Sequence, residues 1–536
     1  MTPAPLDRRW AAGYSAVLAA LFVPLYLWTR LPLFVSDSAT FLEEARLADP
    51  RHPLFGFPGH FLQMPLAAGL WHASRRLGLP FSLEAVWLGL CLAGTLAAII
   101  SLGLIAAELL QTRLAAWLAA LLFGTSLNMW WQWNGELYAL ALGFVTAGVL
   151  LALRRHLVAA ALCYALAVSC HIDFVFAGPA FAAALAIGRP DGETIAATAR
   201  RIGALLAGAG LATLFVLIVP NWMMGKWRST ADVSRWLTIY FGLGKSSGHV
   251  LAVPEIFRAS KGLLTAYTVA GHYWRDILTR RAVDGSFAFV AASAVGLVVL
   301  IVTAVLLAAA IRRRSIVLLS IVWLGTFQLL FNWWFCPNDS KYHAGALPGF
   351  VLLVVTGLVH LTARMTGRAR YALCASYVVM CAGLNLWGSL LPMQALGHDT
   401  LDTVRQIRQL NDDLGGNAVI VSCTDSLVVV RAGVANFRIK KEWRPTVTET
   451  RDAIRSWIDG QLAEGKQPFL LDRWCLPEEW FVSAPPPFDL YFLEKDFQLV
   501  PTQVRQAPVA QVWETNPFSW RRGALMRLVP LRRSSD

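Results

Sequence analysis

Long apolar runs, recurring from Trp10 to about residue 392 and separated by short arginine-bearing breaks, constrain this chain more than any other feature. A run of roughly 18 or more apolar residues is long enough to cross a bilayer as a helix. Such runs lie near 11–28, 84–110, 114–130, 137–153, 157–170, 172–188, 202–221, 286–311, 315–335, 345–363 and 371–392. The chain is 56% hydrophobic and only 15% charged, too little charge to cover a soluble surface of 536 residues. The expected fold is therefore an α-helical polytopic membrane protein with about eleven transmembrane helices.

Orientation follows from the breaks. Arg8 and Arg9 precede the first run, which reads as an uncleaved first helix starting inside. Counting onward, the inner connections hold Arg113; Arg154 and Arg155; Arg189, Arg200 and Arg201; Arg312 to Arg314; and Arg364, Arg368 and Arg370. Every short inner connection carries arginine, as the positive-inside rule requires. This pattern accounts for the net charge of +13 without a nucleic-acid partner. High Ala, Gly and Arg with little Lys points to a bacterial inner membrane.

The outer connections are of another kind. They hold Asp37 to Glu84, Trp130 to Glu136, Cys170 to Asp173, Asn221 to Ser286, and Phe335 to His343. Acidic, imidazole and aromatic groups thus collect on one face. Within the long first outer loop (29–83), Phe61 to Leu77 has the pattern of a helix lying in the interface. Val250 to Leu278 is too polar for a confident span and is assigned to the interface as well.

From about residue 395 the composition changes. Thr403 to Leu414 has helical spacing, Asn417 to Ser422 and Ser426 to Val430 read as strands, Thr446 to Leu462 as a helix, and Gln467 to Leu471 as a strand. Pro485 to Pro487 reads as a turn or linker. The division expected is a membrane domain over 1–394 and a small extracytoplasmic α/β domain over 395–536. Cys423 and Cys475 fall in the latter, where an oxidising compartment permits a disulfide that spacing alone does not establish. The remaining cysteines lack metal or redox spacing, and several lie within apolar runs. Gly242 to Gly248 lacks the upstream glycine of a phosphate-binding loop, since Ile239 occupies that position.

Asp37, in Ser36-Asp37-Ser38, reads on its own either as a helix cap or as a functional acid at a membrane mouth. Asp37-Ser38-x-x-Phe41 followed by His52-Pro53-Leu54-Phe55-Gly56-Phe57-Pro58 resembles the first outer loop of GT-C glycosyltransferases. It is most similar to the protein O-mannosyltransferase-like branch, as are Asn134 to Leu140 and Ser169-Cys170-His171. The resemblance covers roughly residues 10–190. The chain departs from it where Leu54-Phe55 interrupts the His-Pro-Pro-Gly pattern and Gly59-His60 follows.

The resemblance implies an inverting transfer from a polyprenyl-phosphate sugar to a hydroxyl of a protein, lipid or envelope glycan at the outer leaflet. By position Asp37 is the general base, and Glu136 orients the acceptor or shares a divalent cation with it. No cofactor is otherwise called for. Arg51, His52, His60, Lys341 and His343 are candidates for the leaving phosphate or for headgroup anchoring. Trp133 and its neighbours form either an interfacial belt or a sugar platform, with Asn134 beside them. His171 and Asp173 are a buried pair or a substrate contact. A transporter of lipid-linked sugars and a non-catalytic scaffold are the alternatives.

Overall fold

The computed structural model describes residues 8–31, 42, 62–223, 229–232, 234, 253–278, 287–311, 314–332, 340–422, 432–438, 447–471, 497–506 and 523–531. The first half of the bundle comprises α1 (Arg8–Trp28), α2 (Gln63–Arg76), α3 (Leu83–Leu110), α4 (Arg113–Gly124), α5 (Leu127–Trp133), α6 (Tyr138–Leu153) and α7 (Leu157–Cys170). A 3₁₀ turn, Ile172–Ala177, leads into α8 (Gly178–Ile187) and α9 (Ile195–Met223). The second half comprises α10 (Val253–Tyr267), α11 (Ala270–Leu278), α12 (Phe287–Ala310), α13 (Arg314–Phe327), α14 (Leu347–Leu361), α15 (Gly367–Asn385) and α16 (Leu391–Asp413). π turns occupy Gln328–Asn332 and Leu386–Leu390, and a 3₁₀ turn occupies Ser340–Gly345.

All eleven expected segments are helical, but they differ in reach. Among the described residues, five helices are long and apolar enough to cross a membrane alone, and six spans result if the bent pair α4–α5 is one. Five others are apolar but only 10–17 residues long. The apolar runs are shortened where polar residues open the helix. At the 66° bend after α4, Thr125 and Ser126 hydroxyls donate to Leu121 O and Phe123 O at 2.6 Å each, adding to the backbone N–H bonds those carbonyls already accept.

Helix crossings are set by small residues. A Cβ on Gly94 of α3 would lie 2.4 Å from Ala139 O, and one on Gly143 of α6 would lie 2.6 Å from Gly94 O. Those two helices therefore touch backbone to backbone, the close approach that small residues permit in membranes. The resulting core runs through the whole bundle.

Two ends of the bundle differ in chemistry. At one end, Arg154 Nε donates to Glu108 Oε1 at 2.7 Å, and Arg155, in a left-handed conformation (φ 66°), pairs with Glu193 at 2.6 Å. Arg201 reaches the same Glu193 at 3.4 Å. These are the connections expected to face inward.

The α10–α11 hairpin corrects an expectation. Its residues 265–273 are largely buried, and Tyr267, Thr268, Val269, His272 and Tyr273 are at most 1% exposed. It lies inside the bundle, not along the interface, because the bundle supplies polar partners for it. Asn385 Oδ1 accepts from Val269 N at 2.9 Å, while its Nδ2 donates to Thr125 O and Tyr267 O at 2.9 and 3.0 Å. Tyr273 OH donates to the carbonyl of Gly388, within the second π turn.

Beyond the bundle, α16 runs unbroken through residue 395, so the composition shift is carried on one continuous helix. It leads to a five-stranded sheet of order β2-β1-β3-β5-β4, with β1 (Ala418–Ser422), β2 (Ala435–Arg438), β3 (Gln467–Leu471), β4 (Phe497–Gln506) and β5 (Gly523–Pro530). β2, β1 and β3 are parallel, and β5 and β4 add antiparallel. Alternation along β1 and β3 sends Ile420 and Phe469 to the face covered by Val404 and Ile407 of α16. Val421 and Leu470 go to the face covered by Ile454 and Ile458 of α17 (Val447–Ala463). Ser426 to Val430, Cys423, Cys475 and Pro485 to Pro487 lie outside the described residues.

Candidate functional site

The opposite end of the bundle gathers the acidic and imidazole groups. The turn after α5 begins it. Gly135 holds φ 111°, a left-handed conformation suited to glycine, and its carbonyl accepts from Trp87 Nε1 at 2.8 Å. This turn sets Glu136 inside the protein at 2% exposure. Cys91 Sγ lies 3.6 Å from Glu136 O and 3.7 Å from Gln63 Nε2, which joins the start of α2 to the same place.

One helical step later, Tyr138 OH donates to Asp173 Oδ2 at 2.9 Å. His171 Nδ1 lies 3.2 Å from that same oxygen, and the His171 ring stacks on Tyr138 at 3.9 Å between centroids. The Asp173 backbone N–H donates to Nδ1 at 3.4 Å, so the backbone and the carboxyl group of Asp173 both lie against Nδ1 and fix the orientation of the ring. The 3₁₀ turn that follows α7 makes this geometry, since it brings Asp173 back toward His171.

A second imidazole sits nearby. In the 340–345 turn, His343 is fully buried, with Nδ1 2.9 Å from Gln328 Nε2 and 3.1 Å from Asn332 Nδ2. The ring of Tyr342 meets Tyr138 edge-on at 6.0 Å, which links the two imidazole groups. Lys341 belongs to the same turn by its backbone, and its side chain is outside the described set.

Trp133 and Asn134 serve the scaffold. Trp133 is 1% exposed and stacks on Tyr26 of α1 at 5.8 Å, while Trp130 meets Tyr26 edge-on at 5.2 Å. These tryptophans are inside the bundle and form no interfacial belt, because the bend after α4 turns α5 inward. Asn134 Oδ1 accepts from Leu31 N at 2.8 Å and its Nδ2 donates to Trp130 O at 2.8 Å.

Asp37, Arg51, His52 and His60 lie outside the described residues. Both described flanks of their segment are nonetheless tied to this end of the bundle. Leu31 is bonded to Asn134 as above, and Leu62 N donates to Ser169 O at 3.0 Å, two residues before His171. Among the described residues no three His, Cys, Asp or Glu side chains converge as a metal-binding group.

Sequence reasoning missed Tyr138, Gln328 and Asn332 as members of this region. Tyr138 stands in a motif whose glutamate drew attention first. Gln328 and Asn332 are polar residues four apart inside an apolar segment, which is the signal that marks them.

No family model matches this chain, and no curated protein matches its sequence. Solved structures do. ArnT from Cupriavidus metallidurans, in the apo state, is similar at 12% identity and a TM-score of 0.54 over 96% of this chain and 98% of its own. The Archaeoglobus fulgidus oligosaccharyltransferase, tethered with an acceptor peptide containing the NVT sequon, is 12% identical over 80% of this chain and 64% of its own. Its TM-score of 0.41 is too low to weigh. The likeness to ArnT is one of fold alone. Together with the helices long and apolar enough to cross a bilayer, it fits an integral membrane protein.

Proposed function

We propose that this chain is an inverting GT-C glycosyltransferase of the O-mannosyltransferase-like kind, moving a sugar from a polyprenyl-phosphate donor to an acceptor hydroxyl. The observation that carries the reading is the anchoring of both flanks of the Asp37 segment. Leu31 and Leu62 are each hydrogen-bonded beside the Glu136, His171 and Asp173 groups. Leu31 precedes Asp37 by six residues, so chain length alone keeps their Cα atoms within about 20 Å. The ArnT-like fold over nearly the whole chain supports the same class.

Asp37 takes the proton from the acceptor hydroxyl as its oxygen attacks the anomeric carbon. The bond between that carbon and the phosphate oxygen breaks, and polyprenyl phosphate leaves with the electron pair. Positioned proton removal is typically worth 10²–10⁴-fold in rate. Arg51, His52, His60 and Lys341 are the cations assigned to the departing phosphate, where charge develops. Glu136 and the Asp173-oriented His171 line the acceptor side. This end of the bundle faces outward, the arginine-bearing end faces the cytoplasm, and the sheet domain is extracytoplasmic.

The test is transfer from radiolabelled polyprenyl-phosphate sugars by purified wild-type and Asp37→Asn protein. Loss of transfer in a folded variant supports the mechanism. Equal transfer by the two proteins overturns it, and no transfer from any donor favours a transporter or scaffold.

A further inference from the structure

Gln328 and Asn332 have no part in that mechanism, yet the π turn aims both at His343. Their amide nitrogens are 2.9 and 3.1 Å from Nδ1, so the amides donate, Nδ1 accepts, and the imidazole proton is on Nε2. The amide oxygens are then left over. Gln328 Oε1 and Asn332 Oδ1 are buried and have no hydrogen-bond partner among the described residues. Turning either amide over would place its oxygen on Nδ1 and strand the nitrogen instead. In either orientation each side chain has one polar group that needs a partner from outside the pair.

A second wall repeats the pattern. Helix α5 packs against the 340–345 turn that carries His343. On it, Trp131 Nε1 and Gln132 Oε1 are also buried without partners among the described residues, on side chains 1% and 0% exposed. Buried polar atoms are nearly always bonded, and leaving one unbonded is costly. Unpartnered atoms on both elements flanking one turn mark a place that a ligand completes.

Their chemistry selects the ligand. These four side chains mix donors with acceptors and carry no charge to hold a phosphate, a carboxylate or an ammonium group. A hydroxyl both donates to an amide oxygen and accepts from an indole N–H. We propose that Asn332 and Gln328, with Gln132 and Trp131 on the helix packed against the same turn, bind the ring hydroxyls of the donor's sugar and so set its identity. The inference rests on the glycosyltransferase reading above.

The test measures binding of bare polyprenyl phosphate, and of the same carrier bearing glucose, mannose, galactose or N-acetylglucosamine, to the full chain in lipid nanodiscs. Asn332→Leu and Gln328→Leu should each weaken the preferred sugar-bearing donor by about five- to tenfold, the effect of one neutral hydrogen bond. Binding of the bare carrier should not change, which also reports that the variant is folded. If Asn332→Leu loses the bare carrier too, the half-buried Gln328 decides. Unchanged binding of both ligands, or equal weakening of both, would overturn the site while leaving the reaction standing. A wild-type protein that binds none of the sugar-bearing donors more tightly than the bare carrier would overturn both.

Discussion

Replacing Asn134 by alanine removes the bond that ties the end of the first helix to the candidate site. In the folded protein Asn134 Oδ1 accepts from Leu31 N at 2.8 Å, and Leu31 is 7% exposed. Alanine leaves that amide buried and unpaired, at a cost of about 1–3 kcal/mol. The second bond, from Nδ2 to Trp130 O, matters less, because Trp130 O still accepts from the Asn134 backbone at 3.2 Å. Losing it costs about 0.5–1.5 kcal/mol. The total of about 1.5–4.5 kcal/mol corresponds to roughly 10- to 1,600-fold more frequent opening of the junction, at about 1.4 kcal/mol per tenfold. Hydrogen exchange read by mass spectrometry should show the peptide spanning residues 29–31 exchanging faster by that factor. The ion-paired end around Glu108 and Arg154 should keep its protection. Unchanged exchange at residues 29–31 would refute the anchoring role of Asn134.

Gly94→Ala places a Cβ 2.4 Å from Ala139 O, a backbone atom that cannot turn aside, so α3 and α6 must part. We expect a loss of more than about 3 kcal/mol, seen as a fall in detergent melting temperature or failure to purify as a monodisperse species. A Gly94→Ala protein as stable as wild type would mean that the helices do not cross this closely. Tyr138→Phe removes the phenol donor from Asp173 and leaves the ring stacked on His171. Its expected cost is about 1.5–3 kcal/mol if Asp173 is ionised, and about 1 kcal/mol if it is neutral. Melting curves would distinguish those values, and no change at all would exclude the bond.

Much of the membrane part was legible because apolar runs follow from bilayer thickness. The runs are helical over their described residues, though only five of the described helices are long enough to cross alone, and Arg154, Arg155 and Arg201 gather at one end of the bundle. What the runs did not reveal is where a helix stops short. The bend after Gly124 lies inside an apolar run, and nothing in average hydropathy records the Thr125 and Ser126 hydroxyl bonds made there. The α10–α11 hairpin was misplaced for a similar reason. Its polar residues are buried because Asn385, far along the chain, bonds to Val269 and Tyr267. In the candidate site, the pairing of His171 with Asp173 was readable from their spacing. Tyr138 as a third member was not, because its contact with Asp173 spans 35 positions. The Gln328–Asn332 pair was readable as polar residues in an apolar run, but its target, His343, depends on a π turn that no periodicity announces.

The central claim is that Asp37 is the base in glycosyl transfer at the end of the bundle where Glu136, His171 and His343 gather. The most direct measurement is single-turnover transfer from a radiolabelled polyprenyl-phosphate sugar, comparing wild type with Asp37→Asn at matched melting temperature. The account predicts a rate lower by about 10²–10⁴-fold in the variant. Equal rates in the two folded proteins would contradict it.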